Sequence, residues 1–157
     1  MRQHGAEIQA VAFLIVRNER DAEEILADTL LTAWRKVDSL RDPDRLRPWL
    51  LTTATRLALR RRRRLQPHLL SLETASDLAA SDPSPIDRLA LGEAINRLPP
   101  RMRAVIALHY VADLPTADIA TAVGRSENTV KTQLREGRAK LRVALADDPP
   151  EKHGARA

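Results

Sequence analysis

The stretch from Leu114 to Leu145, LPTADIATAVGRSENTVKTQLREGRAKLRVAL, constrains the chain more than any other, because its pattern specifies two helices joined by a tight turn. Pro115 and Thr116 open the first helix, since Thr can cap free backbone N–H groups and Pro forbids helix upstream. Ile119, Ala120 and Val123 mark its apolar face. Gly124 stands where a chain reversing after a helix adopts positive φ, which glycine does without a Cβ clash. Ser126 can cap the second helix, in which Val130, Leu134, Gly137 and Leu141 recur at helical spacing along one side. That side must be buried, and small Ala120 at the crossing allows the close approach a helix-turn-helix requires. The opposite side carries Asn128, Lys131, Thr132 and Arg135, with Glu127 and Arg138 at its edges. Such long, hydrogen-bonding side chains suit a surface facing base edges and phosphates; the bland reading is the solvated face of an ordinary hairpin.

A chain of 157 residues allows one or two domains, each of two having only a modest core. There is no cysteine, hence no disulfide framework and no thiolate metal site. The longest apolar run, Ala10 to Val16, is too short to span a bilayer and lacks signal-peptide flanks, which predicts a soluble cytoplasmic protein. Net charge is +5, unevenly placed: residues 1–64 contribute +5, residues 65–97 contribute −3 and residues 98–157 contribute +3. Basic ends flanking an acidic middle favour a polyanionic partner, because phosphate contacts release counterions. An enzyme is not expected: His4, His68, His109 and His153 show no metal-ligand spacing, and the five glycines form no phosphate loop. No catalytic residue, metal, cofactor or small-molecule substrate is therefore assigned.

From Glu7, the positions Ile8, Val11, Ala12 and Ile15 follow helical spacing to about Val16. After Arg17 and Asn18 a second stripe begins, with Ala22, Ile25, Leu26, Thr29, Leu30, Ala33, Trp34 and Val37 on one side. Asp21, Glu23, Glu24 and Asp28 lie off it; either they complement the helix dipole or they form an acidic docking surface. VDSLRDP, Val37 to Pro43, is a loop, and a helix with Leu50, Thr53, Ala54 and Leu57 then ends in five arginines, Arg60 to Arg64. That run is a phosphate-binding surface or a solvated basic tail. Leu65 to Ser84 reads as a linker. Ser84 and Pro85 open a helix carrying Ile86, Leu89, Ala90, Ala94 and Leu98, and Pro99 and Pro100 start the next, with Met102, Val105, Ile106 and Leu108 inward. Trp34 and Trp49 are both expected in the core, and His109 half-buried with its ring tip bonded. No stretch alternates with period two, so the expected fold is all-α.

Both halves resemble bacterial sigma factors of the extracytoplasmic-function family. DAEEILADTLLTAWRKV (Asp21 to Val37) and RPWLLTTATRLALRRRRR (Arg47 to Arg64) are similar to that family's region 2 helices. LPPRMRAVIALHYVADLPTADIATAVGRSENTVKTQLREGRAKL (Leu98 to Leu141) is similar to its region 4. The resemblance implies a region 2-like domain over 1–65, a flexible linker over 66–84, a region 4-like helix-turn-helix domain over 85–147 and a tail over 148–157. It further implies that Asp21, Glu23, Glu24 and Asp28 dock on the clamp of the RNA polymerase β′ subunit. Asp38, Ser39, Arg41, Thr52, Arg56, Arg60 and Arg61 would recognise and open the −10 promoter element. Arg125, Ser126, Asn128, Lys131, Thr132 and Arg135 would read the −35 element from the major groove. Core polymerase, including its β flap, promoter DNA and an anti-sigma factor are the implied partners. The chain departs from the family at Ala27, Leu30, Arg56 and Arg125, and it mostly lacks the helical segment expected before Glu7. The alternative function is a two-domain helix-turn-helix regulator that binds an operator without polymerase, which leaves Asp21 to Asp28 no task beyond solvation. A third is an adaptor that only docks on another protein.

Overall fold

The structure, a computed structural model, describes residues 2–69 and 85–147, and among them there are seven α-helices and no strand. Helix α1 (Arg2–Val16) buries Ile8, Val11, Ala12 and Ile15 completely, as its spacing predicts. Arg17 then reverses the chain in the left-handed region, φ 59°. Helix α2 (Glu19–Arg35) is capped by Asn18, whose side chain accepts the Asp21 N–H at 2.9 Å. After a short 3-10 turn at Val37–Ser39, Asp42 accepts the Asp44 N–H at 3.0 Å and helix α3 (Pro43–Leu69) begins. The second half holds α4 (Pro85–Asn96), α5 (Pro100–Tyr110), α6 (Thr116–Val123) and α7 (Glu127–Asp147).

In the first half α1, α2 and α3 all pack on one another; in the second, α7 packs on α4, α5 and α6. The halves are also in contact, with α5 lying against α1 and α3, and α6 against α3. One continuous apolar core results, from Ile8 through Leu50 and Leu51 to Leu108, Ile119 and Val130. Helix α5 is its centre: every residue from Met102 to Leu108 is buried. Each large apolar side chain enclosed this way contributes about 1.5–3 kcal/mol.

Arg103 is the exception inside that centre, 1 % exposed. Its Nη1 donates to the carbonyls of Asn96 (3.0 Å) and Leu98 (3.2 Å), and its Nη2 to that of Ile15 (2.8 Å). Asn96 ends α4 and Ile15 is next to last in α1, so the guanidinium plugs the negative ends of two helices from different halves. Burial, followed by the charges of Arg62 and Arg17, pulls its pKa down to about 10. Two further bonds join the halves: Arg47 donates to the Ala112 carbonyl, and Arg56 to that of Thr121 at 3.0 Å.

Four expectations need correction. Trp34 and Val37 are 72 % and 58 % exposed, because the buried seam of α2 is narrower than the apolar pattern and runs through Ala22, Ile25, Thr29 and Ala33. With Ala33 seated, Trp34 falls about 100° away around the helix. Trp49, by contrast, packs partly buried against the core. Leu89 is exposed, whereas Ala94 and Leu98 are buried. Thr116 does not cap α6; Pro115 holds the cap position, with no side-chain bond, and its carbonyl accepts from Asp118 and Ile119. Finally, α3 runs on to Leu69, so residues 66–69 of the expected linker are helical, while 70–84 lie outside the described residues, as does the expected tail, 148–157. Arg, Leu and Gln are good helix formers, and the long preceding helix makes propagation cheap, so Pro67 removes one hydrogen bond without stopping it.

Candidate nucleic-acid interface

The turn between α6 and α7 is built by local chemistry. Gly124 caps α6 in the left-handed region (φ 67°, ψ 43°), and both it and Arg125 return their N–H groups to the Ala120 carbonyl. Ser126 Oγ accepts the Thr129 N–H at 3.2 Å and starts α7. Val130, Leu134 and Gly137 are buried and fix the rotation of α7. A Cβ at Gly137 would meet Ile106 Cδ1 at 3.1 Å, so the bare backbone there lets α7 close on α5.

With that rotation fixed, all six residues expected to read bases stand exposed at the start and along one face of α7: Arg125, Ser126, Asn128, Lys131, Thr132 and Arg135. From Asn128 to Arg135 the face extends about 10 Å, and the positive end of the helix dipole adds to its pull on phosphate. No ion pair among the described residues involves α7, so Lys131 and Arg135 are not spent on a carboxylate there. Arg138, at the edge, is tied down instead. Its Nε donates to Tyr110 Oη, its guanidinium lies 5.5 Å from the Tyr110 ring centroid, and Nη2 is 3.3 Å from His109 Nε2. His109 is half-buried with its ring tip engaged, as expected, and meets Tyr110 edge-on.

The basic face of α3 is arranged differently. Asp38, Ser39 and Arg41 are exposed in the turn before it, Thr52 is half-buried, and Arg56 and Arg60 are exposed. Thr52, Arg56 and Arg60 share one side of the helix, but Arg56 already reaches α6 through the Thr121 carbonyl. Arg61 turns the other way. It donates to Asp21 at 2.6 and 3.1 Å and to Glu24, and these bonds, Asp21 first, raise its pKa above the ordinary value. Two sets assigned separately from sequence thus meet at one point. Glu23 and Asp28 remain exposed, and no ion pair among the described residues includes them.

Sequence reasoning missed three features. Leu31, Trp34 and Val37 form an exposed apolar strip that continues the acidic face of α2 beyond Asp28. The Tyr110–Arg138 contact spans 28 positions, and Arg47 bridges Glu7 and Ala112 across 40 and 65. No short-range pattern announces these, although a tyrosine exposed at the end of a buried helix was a signal for the first. Among the described residues no cluster of potential metal ligands occurs, and no helix is long and apolar enough to cross a membrane.

Both halves of the chain match known proteins. The family described as sigma-70 region 2 matches residues 1–67, and that described as sigma-70, region 4 matches 88–141. The RNA polymerase sigma factor SigV of Bacillus subtilis is 28 % identical over 148 residues, covering 92 % of this chain and 88 % of that protein. The ECF RNA polymerase sigma factor SigL of Mycobacterium tuberculosis is 31 % identical over 152 residues, covering 92 % and 86 %. Among solved structures, the sigma factor RpoE in complex with the anti-sigma factor NepR from Bartonella quintana shares the fold. Its TM-score is 0.74 at 24 % identity, over 94 % of this chain and 95 % of that one.

Proposed function

The chain belongs to the extracytoplasmic-function RNA polymerase sigma factors, and on that footing we propose how its surfaces divide the work of starting transcription. It is a transcription initiation factor that directs core polymerase to specific promoters. The exposed face of α7, with Arg125, Ser126, Asn128, Lys131, Thr132 and Arg135, reads the −35 element from the major groove; the joint exposure of all six, with no ion pair to Lys131 or Arg135 among the described residues, is the observation that carries this assignment. Asp38, Ser39, Arg41, Thr52, Arg56, Arg60 and Arg61 serve the −10 element, where arginines hold the backbone of the opened strand. Asp21, Glu23, Glu24 and Asp28 dock on the β′ clamp, and the adjoining strip Leu31, Trp34 and Val37 supplies the apolar anchor such an interface needs. Leu89, Leu91, Val143 and Leu145, also exposed, are available to the β flap. We take 1–65 and 85–147 as the two working domains, acting in the cytoplasm without catalysis of their own.

The two promoter elements are roughly 80 Å apart along the duplex at about 3.4 Å per base pair. A compact chain of this length is only about 40 Å across. The halves must therefore part for both to engage, breaking the bonds of Arg47, Arg56 and Arg103. A partner that holds them together would keep the factor inactive; RpoE is solved in complex with the anti-sigma factor NepR, and a second protein of this fold, CnrH, with the cytosolic domain of CnrY.

The test is in vitro transcription. Core polymerase with this protein is expected to initiate at a defined promoter, and Trp34→Ala to weaken polymerase capture by tenfold or more without lowering thermal stability. Tight binding to a palindromic operator by the protein alone, with polymerase left inactive, would establish the regulator reading instead.

A further inference from the structure

Three arginines distant in sequence meet where the end of α1, the basic end of α3 and the start of α5 come together. Arg103 spends its two terminal nitrogens on the Ile15, Asn96 and Leu98 carbonyls, and its Nε is buried with no acceptor among the described residues. Arg17 follows Ile15 by two positions, is half-buried over the Phe13 ring at 5.2 Å, and has a buried Nη1 likewise without acceptor. Arg62 continues the buried stripe of Leu51, Thr55 and Ala58 by one turn and is half-buried. Desolvation lowers the pKa of all three; Arg17 and Arg103 are lowered further by Arg62, and Arg103 also by Arg17. No ion pair among the described residues brings a carboxylate to any of them.

Helix ends carry only about half a charge each, so the carbonyls on Arg103 leave most of this positive charge uncompensated. Guanidinium groups with unused N–H donors, in a partly desolvated place, fit the geometry of a tetrahedral oxyanion. We propose that this junction binds a small, multiply charged phosphate-type anion on the half-exposed guanidiniums of Arg17 and Arg62, with the buried charge of Arg103 behind them. Half-exposure of Arg17 and Arg62 gives the anion its way in. A duplex backbone is disfavoured, because the site exists only while Arg103 of the second half is seated on Ile15 of the first, where the two halves close on each other. The assignment is independent of the promoter-reading roles given to α3 and α7. It makes the closed arrangement of the two halves a ligand-bound state.

The probe is inorganic pyrophosphate, titrated into the full chain at constant ionic strength and followed by calorimetry and by thermal unfolding. Saturable one-to-one binding with a dissociation constant below about 1 mM and a rising Tm are expected. Arg17→Gln and Arg62→Gln should each weaken binding about tenfold or more, while Arg64→Gln, an exposed member of the same arginine run, leaves it unchanged. Circular dichroism of the apo variants checks that both fold; neither touches the carbonyl-bound nitrogens of Arg103. Equal losses at Arg62 and Arg64 would reduce the effect to diffuse surface charge and overturn the site. So would an absence of saturation by about 10 mM. A single-stranded oligonucleotide that displaces pyrophosphate with the same dependence on Arg62 would assign the arginines to nucleic acid and overturn the small-anion proposal.

Discussion

Helices α3 and α7 are both long, both bury an apolar stripe and both present basic residues, yet their arginines have different employment. On α7, Lys131 and Arg135 stand exposed with no ion pair among the described residues. On α3, Arg47 binds Glu7 and the Ala112 carbonyl, Arg56 binds the Thr121 carbonyl, and Arg61 binds Asp21 and Glu24. A basic face is therefore not one kind of object. One has no ion pair among the described residues, and the other is partly an internal clamp.

The contrast is sharpest in what each face loses on truncation. Asn128→Ala or Arg135→Ala should lower affinity for a −35 duplex by about 1–3 kcal/mol, with base preference relaxed at the contacted position and Tm unchanged, as a binding titration over sequence variants would show. Arg47→Ala should do the reverse. It leaves half-buried Glu7 and the Ala112 carbonyl without their donor, and is expected to cost about 1–2 kcal/mol in urea unfolding while the −35 affinity of α7 stays as it was. Gly124→Ala, which forces a side chain into the left-handed region, should lose about 1 kcal/mol of stability by the same measurement. The smallest effect belongs to Arg61→Ala. Its ion pairs are largely exposed, so less than about 1 kcal/mol is expected, shrinking further in high salt. A large loss of stability from Arg135→Ala, or none from Arg47→Ala, would erase the distinction between the two faces.

What could be read beforehand was whatever short-range rules govern. Gly124, the Ser126 cap and the stripe of Val130, Leu134 and Gly137 act within a turn or two, and they fix which face of α7 is exposed. The apolar pattern of α2 is wider than its buried seam, because periodicity locates the centre of such a seam better than its edges; Trp34 and Val37 lie beyond it. Arg103 was invisible for a different reason. A cation amid Met102 to Leu108 is buried only because the ends of α1 and α4 converge on it, and that convergence is a property of the whole chain. The same holds for the contact of the two halves, which no stripe on either one announces.

Among the described residues, the three hydrogen bonds that join the halves end on main-chain oxygens, those of Ile15, Ala112 and Thr121. A main-chain acceptor is present whatever side chain the position carries. Heritable change can thus tune these bonds only from the donor side, at Arg47, Arg56 and Arg103, and a mutational scan for a looser or tighter factor should find its polar variants there.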